Sequence, residues 1–302
     1  HHASRITRHE YMIKRKLTKP ISVGGVKIGG SAPVSVQSMT KTDTRDVEKT
    51  VSQIKSLENM GCDIVRLAIP DEKAVEAFSE IKKKVRIPLV ADIHFDYRLA
   101  TGAIRAGADC IRINPGNIGG REKIRMVVNE AKAREIPIRI GINSGSIEKD
   151  ILAKYGHPIP EALVESVLRH IEIMEDLNFY SLKLSLKSSD VMDTVEAYRI
   201  ISSKTDYPLH LGITEAGSSL AGTVKSSIGL GILLGEGTGD TIRVSLTAPP
   251  EEEVLAGYEI LRTLGLKEKA IEIISCPTCG RCEVNLFNLV KEIKEKTNHI
   301  NK

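Results

Sequence analysis

The sequence predicts an α/β protein of the (β/α)8 TIM-type barrel class, followed by the start of a smaller C-terminal α+β unit. Three observations carry that prediction. Short apolar runs alternate with longer stretches of helical spacing, eight such units fit between residues 34 and 247, and charged or polar residues recur toward the C-terminal ends of the runs. Alternation of this kind implies parallel strands joined by right-handed crossovers. Eight units in so short a span suit a closed barrel better than an open doubly wound sheet. The open sheet stays as the alternative, because closure leaves no mark in a single sequence.

Taken in order, residues 1–11 read as a tag and linker ahead of Met12 and are set aside. The predicted strands are 34–39, 64–69, 89–95, 110–114, 138–143, 181–187, 209–215 and 241–247. Between them, segments such as 46–60, with Val47, Val51, Ile54 and Leu57, and 122–134, with Ile124, Val127, Val128 and Ala131, show the spacing of amphipathic helices. Gly61, Gly107 and Gly265 stand where helices should stop, since a left-handed C-cap favours glycine. The 144–160 connection is longer than an ordinary strand-to-helix loop and reads equally as a lid or as a surface insertion. After Gly265 come an apolar run at 271–274, a cysteine knuckle and an amphipathic helix from Glu283 to about Lys296. The expected organisation is therefore a barrel over 12–268 and the first part of a second domain over 269–302, with the chain ending before that domain could close its own core.

Composition narrows the function. The chain has 302 residues, 43 Lys+Arg against 39 Asp+Glu, a net charge of +4, and 41% hydrophobic residues. That is globular composition, which argues against disorder, collagen-like repeats and a disulfide-stapled module. The small charge excess and the lack of a long basic run give no case for nucleic acid. No apolar run reaches membrane-spanning length and no secretory leader opens the chain, so neither membrane insertion nor export is expected. Five cysteines, three of them between residues 276 and 282, fit a reduced cytoplasmic chain with a metal or cluster motif better than a disulfide framework.

In a barrel of this class the C-terminal ends of the strands face the active site. Reading alternate positions there gives Arg66; Asp92 and His94; Arg112 and Asn114; Arg139 and Asn143; Lys183, Ser185 and Lys187; His210, Thr214 and Glu215; and Arg243 and Ser245. Strands covered on both faces should be almost wholly apolar, yet five of these carry Arg or Lys, with only Asp92 and Glu215 as evident counter-charges. A paired structural Arg explains one such strand. Five clustered cations would repel unless an anion joined them, and a phosphate or diphosphate suits the bidentate guanidinium. The run Asn114-Pro115-Gly116-Asn117-Ile118-Gly119-Gly120 follows a strand and opens a helix, so it could present backbone N–H groups to phosphate oxygens. Gly235-Glu236-Gly237-Thr238-Gly239 precedes a strand on the opposite rim and reads as a tight turn. Neither has the order of a dinucleotide fingerprint.

Cys276 and Cys279, spaced C-x-x-C, put two thiolates within reach of one metal, with Pro277 and Gly280 shaping the knuckle. Half of a zinc ribbon and part of an iron–sulfur site are both open on this spacing. Cys282 is as well explained as a bystander as a ligand.

The runs Val36-Gln37-Ser38-Met39-Thr40, Val90-Ala91-Asp92-Ile93-His94-Phe95-Asp96-Tyr97-Arg98, Arg112-Ile113-Asn114-Pro115-Gly116-Asn117-Ile118-Gly119, His210-Leu211-Gly212-Ile213-Thr214-Glu215-Ala216-Gly217 and Cys276-Pro277-Thr278-Cys279 closely resemble the 4-hydroxy-3-methylbut-2-enyl diphosphate synthase family of the methylerythritol phosphate route to isoprenoids. The resemblance runs from about Met12 to the C-terminus. It implies reductive ring opening of 2-C-methyl-D-erythritol 2,4-cyclodiphosphate with loss of water, a [4Fe-4S] cluster in a C-terminal domain, ferredoxin or flavodoxin as electron donor, and a homodimer in which the cluster domain of one subunit caps the barrel of the other. On this resemblance Arg66, Arg112, Arg139, Lys183 and Arg243 grip the diphosphate, with Asp92, Asn114, Asn143, His210 and Ser245 beside them. Glu215 delivers or steers a proton, and Cys276 and Cys279 bind the cluster. The family's remaining Cys and Glu ligands lie further along than this chain runs, so it is expected to hold an incomplete ligand set and to be inactive alone. Two other readings stand beside this one: a dihydropteroate-synthase-like barrel without iron, and a non-catalytic phosphate-binding barrel whose cysteines hold zinc.

Overall fold

The structure, a computed structural model, describes residues 13–267 and 273–297. The expected tag at 1–11 and the boundary at 268, with the first two residues of the predicted 271–274 run, lie outside the described residues. The first described elements are a hairpin that sequence reasoning missed, β1 (Ile21–Val23) and β2 (Val26–Ile28), paired antiparallel. Its turn residues, Gly24 and Gly25, both have positive φ (52° and 92°), the backbone that a two-residue hairpin of the favoured twist requires.

Eight strands follow: β3 (Ser35–Met39), β4 (Ile64–Ala68), β5 (Leu89–Asp92), β6 (Cys110–Ile113), β7 (Ile138–Asn143), β8 (Leu182–Lys187), β9 (His210–Leu211) and β10 (Thr241–Ile242). Each pairs with its neighbours in parallel, in the order β8-β7-β6-β5-β4-β3-β10-β9. A parallel bridge between Leu184 and Leu209 joins the two ends. The sheet is thus a closed barrel, and the open alternative falls.

All eight predicted strands are present, but the last two are far shorter than expected. Beyond Leu211 and Ile242 the backbone finds other partners: Thr214 N donates to Ser188 O, Leu246 N to the Glu253 carboxylate, and Thr247 N to Gly217 O. Apolar run length overstated these strands because side-chain and loop bonds replace the ladder at the barrel mouth. Similarly β5 stops at Asp92, short of the predicted Phe95.

Helices cover the outside. The segments predicted at 46–60 and 122–134 are helices Val47–Asn59 and Arg121–Ala133, burying the apolar stripes that predicted them. Gly61, Gly107 and Gly265 take left-handed φ, and in each case the next N–H reaches back to close the turn: Cys62 to Leu57, Ala108 to Ala103 and Leu266 to Leu261. Asp46, Asp71, Asp96 and Asp190 cap helix N-termini with their carboxylates. The 144–160 connection is a 3-10 turn, Ser144–Ser146, and a short helix, Lys149–Tyr155, leading into helix Pro160–Asp176.

The main core lies between sheet and helices. A separate cluster of Ile21, Val23, Ile28, Ile64, Val90 and Cys110 shows that the hairpin plugs the N-terminal end of the barrel. Helix Leu286–Thr297 follows the cysteine knuckle. Among the described residues, no helix is long and apolar enough to cross a membrane.

Candidate active site

Register explains why the basic residues share one space. Asp92 pairs with Arg112, Arg112 with Arg139, and Arg139 with Lys183. Parallel partners project from the same face, and so do residues two apart. Ala68 pairs with Asp92, which places Arg66 on that face too. The face is the barrel interior. Branched apolar side chains usually fill such an interior; here Arg66, Asp92, Arg112, Arg139, Lys183, Ser185, Lys187 and His210 do so, all buried.

Asp92 is the hub. Its carboxylate lies 3.5 Å from Arg66 Nε, 3.3 Å from Arg112 Nη1 and 3.6 Å from His94 Nε2. Burial pushes its pKa up, but Arg66, His94, Arg112 and Arg139 outweigh that and hold it well below the usual carboxylate range. Arg112 also donates from Nη2 to Gly141 O at 3.0 Å. A Cβ on Gly141 would lie 2.4 Å from Arg112 Nε, and one on Gly212 would lie 2.9 Å from Lys187 Nζ. Both glycines leave the room that an inward cation occupies.

Sequence reasoning missed the second anion. Glu253, on helix Pro250–Thr263, is buried behind β3 and β10. Its carboxylate lies 3.6 Å from Arg243 Nη2 and 3.1 Å from Lys41 Nζ, and accepts from Ser38 Oγ and Leu246 N. Three acidic residues open that helix, Glu251, Glu252 and Glu253, and only the fold distinguishes the one that turns inward. Glu215, the other expected counter-charge, is instead exposed at the rim.

Positive charge exceeds these two carboxylates. Burial lowers the Arg139 guanidinium to about 10, with Arg112 and Arg243 adding repulsion. Burial likewise lowers Lys187 well below its usual value, and Arg243, Arg66, Arg139 and Arg112 repel it further. The same mutual repulsion acts on Arg66. His210 is driven well below its usual value by burial, then by Arg139 and Lys187, so its imidazole is neutral. Arg139 Nε and Nη1, Lys183 Nζ, Arg243 Nε and both ring nitrogens of His210 are buried without a hydrogen-bond partner among the described residues. Buried donors normally find acceptors, so this chamber is chemically incomplete without an anion or water.

The two lysines of β8 differ. Lys187, at the C-terminal end of the strand, sits among the four arginines. Lys183, four residues back, is lowered to about 8 by burial and is close to Cys110, Arg139 and Asp240; Cys110 belongs to the plugged floor. The expectation singled out Lys183, whereas Lys187 is the lysine nearer the mouth. Asn114 is committed locally: its Oδ1 accepts from Gly116 N at 3.0 Å and its Nδ2 donates to Ser146 O at 3.1 Å. The run after it opens a helix as expected, a single turn over Pro115–Ile118. Asn143, the last residue of β7, and Ser245, three residues beyond β10, are half-buried.

At the mouth lies a cleft of about 690 Å³ lined by His94, Phe95, Gly116, Asn117, residues 143–149, Thr214 and Glu215. Glu215 has a left-handed φ of 52°, a conformation that costs a non-glycine residue energy and concentrates at functional sites. Away from the barrel, Cys276, Cys279 and Cys282 are exposed free thiols. Thr278 is left-handed (φ 68°), and Cys282 N donates to Cys279 O at 2.9 Å, forming the expected knuckle. Bonds from the Arg281 backbone and side chain lower the Cys279 thiol pKa. Among the described residues, no group of three or more His, Cys, Asp or Glu could hold a metal ion.

Comparison with known proteins agrees with this geometry. Residues 18–258 match the family model described as the GcpE TIM-barrel domain. A 4-hydroxy-3-methylbut-2-en-1-yl diphosphate synthase (flavodoxin) of Thermodesulfovibrio yellowstonii is 61% identical over 289 residues, which is 96% of this chain and 83% of that protein. The enzyme of the same name from Caldanaerobacter subterraneus is 61% identical over 96% of this chain and 82% of its own length. Among solved structures, dihydropteroate synthase from Stenotrophomonas maltophilia superposes with a TM-score of 0.59 at 13% identity, over 82% of this chain and 97% of that one. 3-Dehydroquinate dehydratase from Geobacillus kaustophilus gives 0.55 at 16% identity, over 81% and 97%. At such identities these two likenesses concern the fold alone.

Proposed function

The chain belongs to the GcpE family of 4-hydroxy-3-methylbut-2-en-1-yl diphosphate synthases, and from that premise we propose how its residues serve the family's oxidoreductase reaction in isoprenoid biosynthesis. The reaction takes 2-C-methyl-D-erythritol 2,4-cyclodiphosphate, two electrons and two protons to (E)-4-hydroxy-3-methylbut-2-enyl diphosphate and water. The dihydropteroate-synthase-like reading survives only as a likeness of fold.

One observation supports the substrate reading above all: five buried cations, Arg66, Arg112, Arg139, Lys183 and Lys187, and the half-buried Arg243 share the barrel with three carboxylates, Asp92, Glu253 and, near Lys183, Asp240. A cyclic diphosphate supplies the missing negative charge. In our reading Arg66, Arg112, Arg139, Lys187 and Arg243 bind it, and Asn143, Ser245 and His210 contribute hydrogen bonds. Asp92 and Glu253 hold the guanidinium groups in place before substrate arrives, so little reorganisation remains for the reaction. Lys183 adds charge from below. Glu215, at the rim of the cleft, gives a proton to the departing hydroxyl.

The electron donor is flavodoxin, the donor in the relatives' names; ferredoxin is the alternative. Cys276 and Cys279 supply two thiolates of the kind a [4Fe-4S] cluster takes. The described residues bring no third ligand to them, so they do not by themselves make the cluster's site. We further propose a homodimer acting in the cytoplasm, a compartment that suits five free cysteines.

Calorimetric titration with the cyclodiphosphate tests the assignment. Arg112→Ala is expected to weaken binding by about 1–3 kcal/mol, the worth of a charge-assisted contact. Glu215→Gln is expected to bind normally and, measured in an enzyme that carries the complete cluster, to lose turnover. Unchanged affinity in the first variant removes Arg112 from the site, and near-normal turnover in the second removes Glu215 from proton transfer.

A further inference from the structure

His170 is a buried titratable residue that the proposed chemistry leaves without a part. It sits on helix Pro160–Asp176, with Nε2 2.9 Å from Glu148 Oε1, a close polar contact that is not aligned as a hydrogen bond. The other oxygen of Glu148 accepts a hydrogen bond from Ser166 Oγ at 2.6 Å. Glu148 is the N-cap residue of helix Lys149–Tyr155 and lies in the 143–149 wall of the cleft. The same Cε1–Nε2 edge of the imidazole also packs against the facing wall: a Cβ on Gly116 would come 3.4 Å from His170 Cε1 and Nε2. Gly116 and Asn117 line the cleft there. Asn114 ties the same two walls together in front by accepting from Gly116 N and donating to Ser146 O.

The carboxylate in this arrangement stays charged. Burial pushes Glu148 up, but His170 and Ser166 together bring it down to about 2. A half-buried charge that loses one partner gains by turning outward, so without the imidazole Glu148 is expected to move toward water and carry the 143–149 wall with it.

We propose that His170 is a positioning residue for the substrate cleft: wedged between the Gly116 backbone and the Glu148 carboxylate, it fixes the distance between the two loops that receive the cyclic diphosphate. It touches no substrate itself. The proposal rests on the function assigned above.

The test is calorimetric binding of 2-C-methyl-D-erythritol 2,4-cyclodiphosphate, with amide hydrogen exchange over 143–149, for the unmodified protein, Arg112→Ala, His170→Leu, His170→Gln and Glu148→Gln. His170→Leu is expected to weaken binding about tenfold, since small displacements of positioning groups have effects of that size or more, and to speed exchange in the 143–149 segment. His170→Gln, which keeps an N–H donor for Glu148, is expected to restore most of the affinity. Glu148→Gln, a milder change, should weaken binding in the same direction and decides the matter if His170→Leu does not fold. If neither His170→Leu nor Glu148→Gln alters binding or exchange, the proposal is wrong. It is equally wrong if His170→Gln restores nothing, because bulk rather than the contact with Glu148 would then matter. Failure of the unmodified protein to bind, or unchanged binding in Arg112→Ala, strikes instead at the substrate assignment.

Discussion

Lys183 shows what a single residue costs in this barrel. Its folded-state pKa is lowered by burial to about 8 from 10.5, so below pH 8 the folded state holds a proton that its surroundings disfavour. Between pH 8 and 10.5 the unfolded chain binds more protons than the folded one, and stability rises with pH through that window. The full difference, 10.5 − 8 = 2.5, corresponds to a penalty on the order of 3 kcal/mol below pH 8. Lys183→Met, similar in length and uncharged, is therefore expected to raise the melting temperature at pH 7, and the gain should shrink as pH climbs toward 10.5. Calorimetric melting at both ends of the range checks this; a gain independent of pH would mean that burial of the charge is not the cause. The kinds of residue in the site were legible in the sequence, because basic residues recur near the C-terminal ends of the strands and period two puts Lys183 and Lys187 on one face. Their depth was not. Lys183 and Lys187 are equivalent by alternation, and only the floor formed by Cys110 and its neighbours separates them. Glu253 was illegible because it reaches the site from a helix, and the local bonds of Asn114 were illegible because a polar residue at a strand end can cap its own loop as readily as face a ligand.

At the level of elements, strand β7 carries its function in a vacancy. Gly141 faces inward, and its missing side chain is where the Arg112 guanidinium lies. Gly141→Ala is expected to displace that group and weaken cyclodiphosphate binding about tenfold or more, within the range for disturbing a charge-assisted contact. The melting temperature should shift less than for a core truncation. Titration and melting of the same variant decide the point, and intact binding would mean that Arg112 adapts freely. The order of the elements was readable because apolar runs and helical spacing alternate without interruption, and glycine marked three helix ends correctly. Strand length failed at β9 and β10, where apolar runs continue but loop and side-chain partners take over the backbone. The β1–β2 hairpin escaped because three-residue strands give too little alternation to register.

For the whole molecule, the governing quantity is the imbalance of charge enclosed by the barrel. Like charges held together in a poorly solvated space raise the energy of the folded state, and an anion that binds there only when the protein is folded lowers it again. At one hundred times its dissociation constant the cyclodiphosphate is expected to add about 2.7 kcal/mol of stability. For a chain of this size that is a melting shift of several degrees. Arg112→Ala should reduce the shift at the same ligand concentration. No shift at saturation would show that the cations are satisfied within the protein.

The hairpin that seals the lower end of the barrel has one more consequence. A vessel with a single opening admits and discharges by the same route, so spent diphosphate must depart before fresh substrate can settle. Occupancy is then one at a time, and a molecule bearing the product's charged head is expected to compete with the substrate for the same doorway.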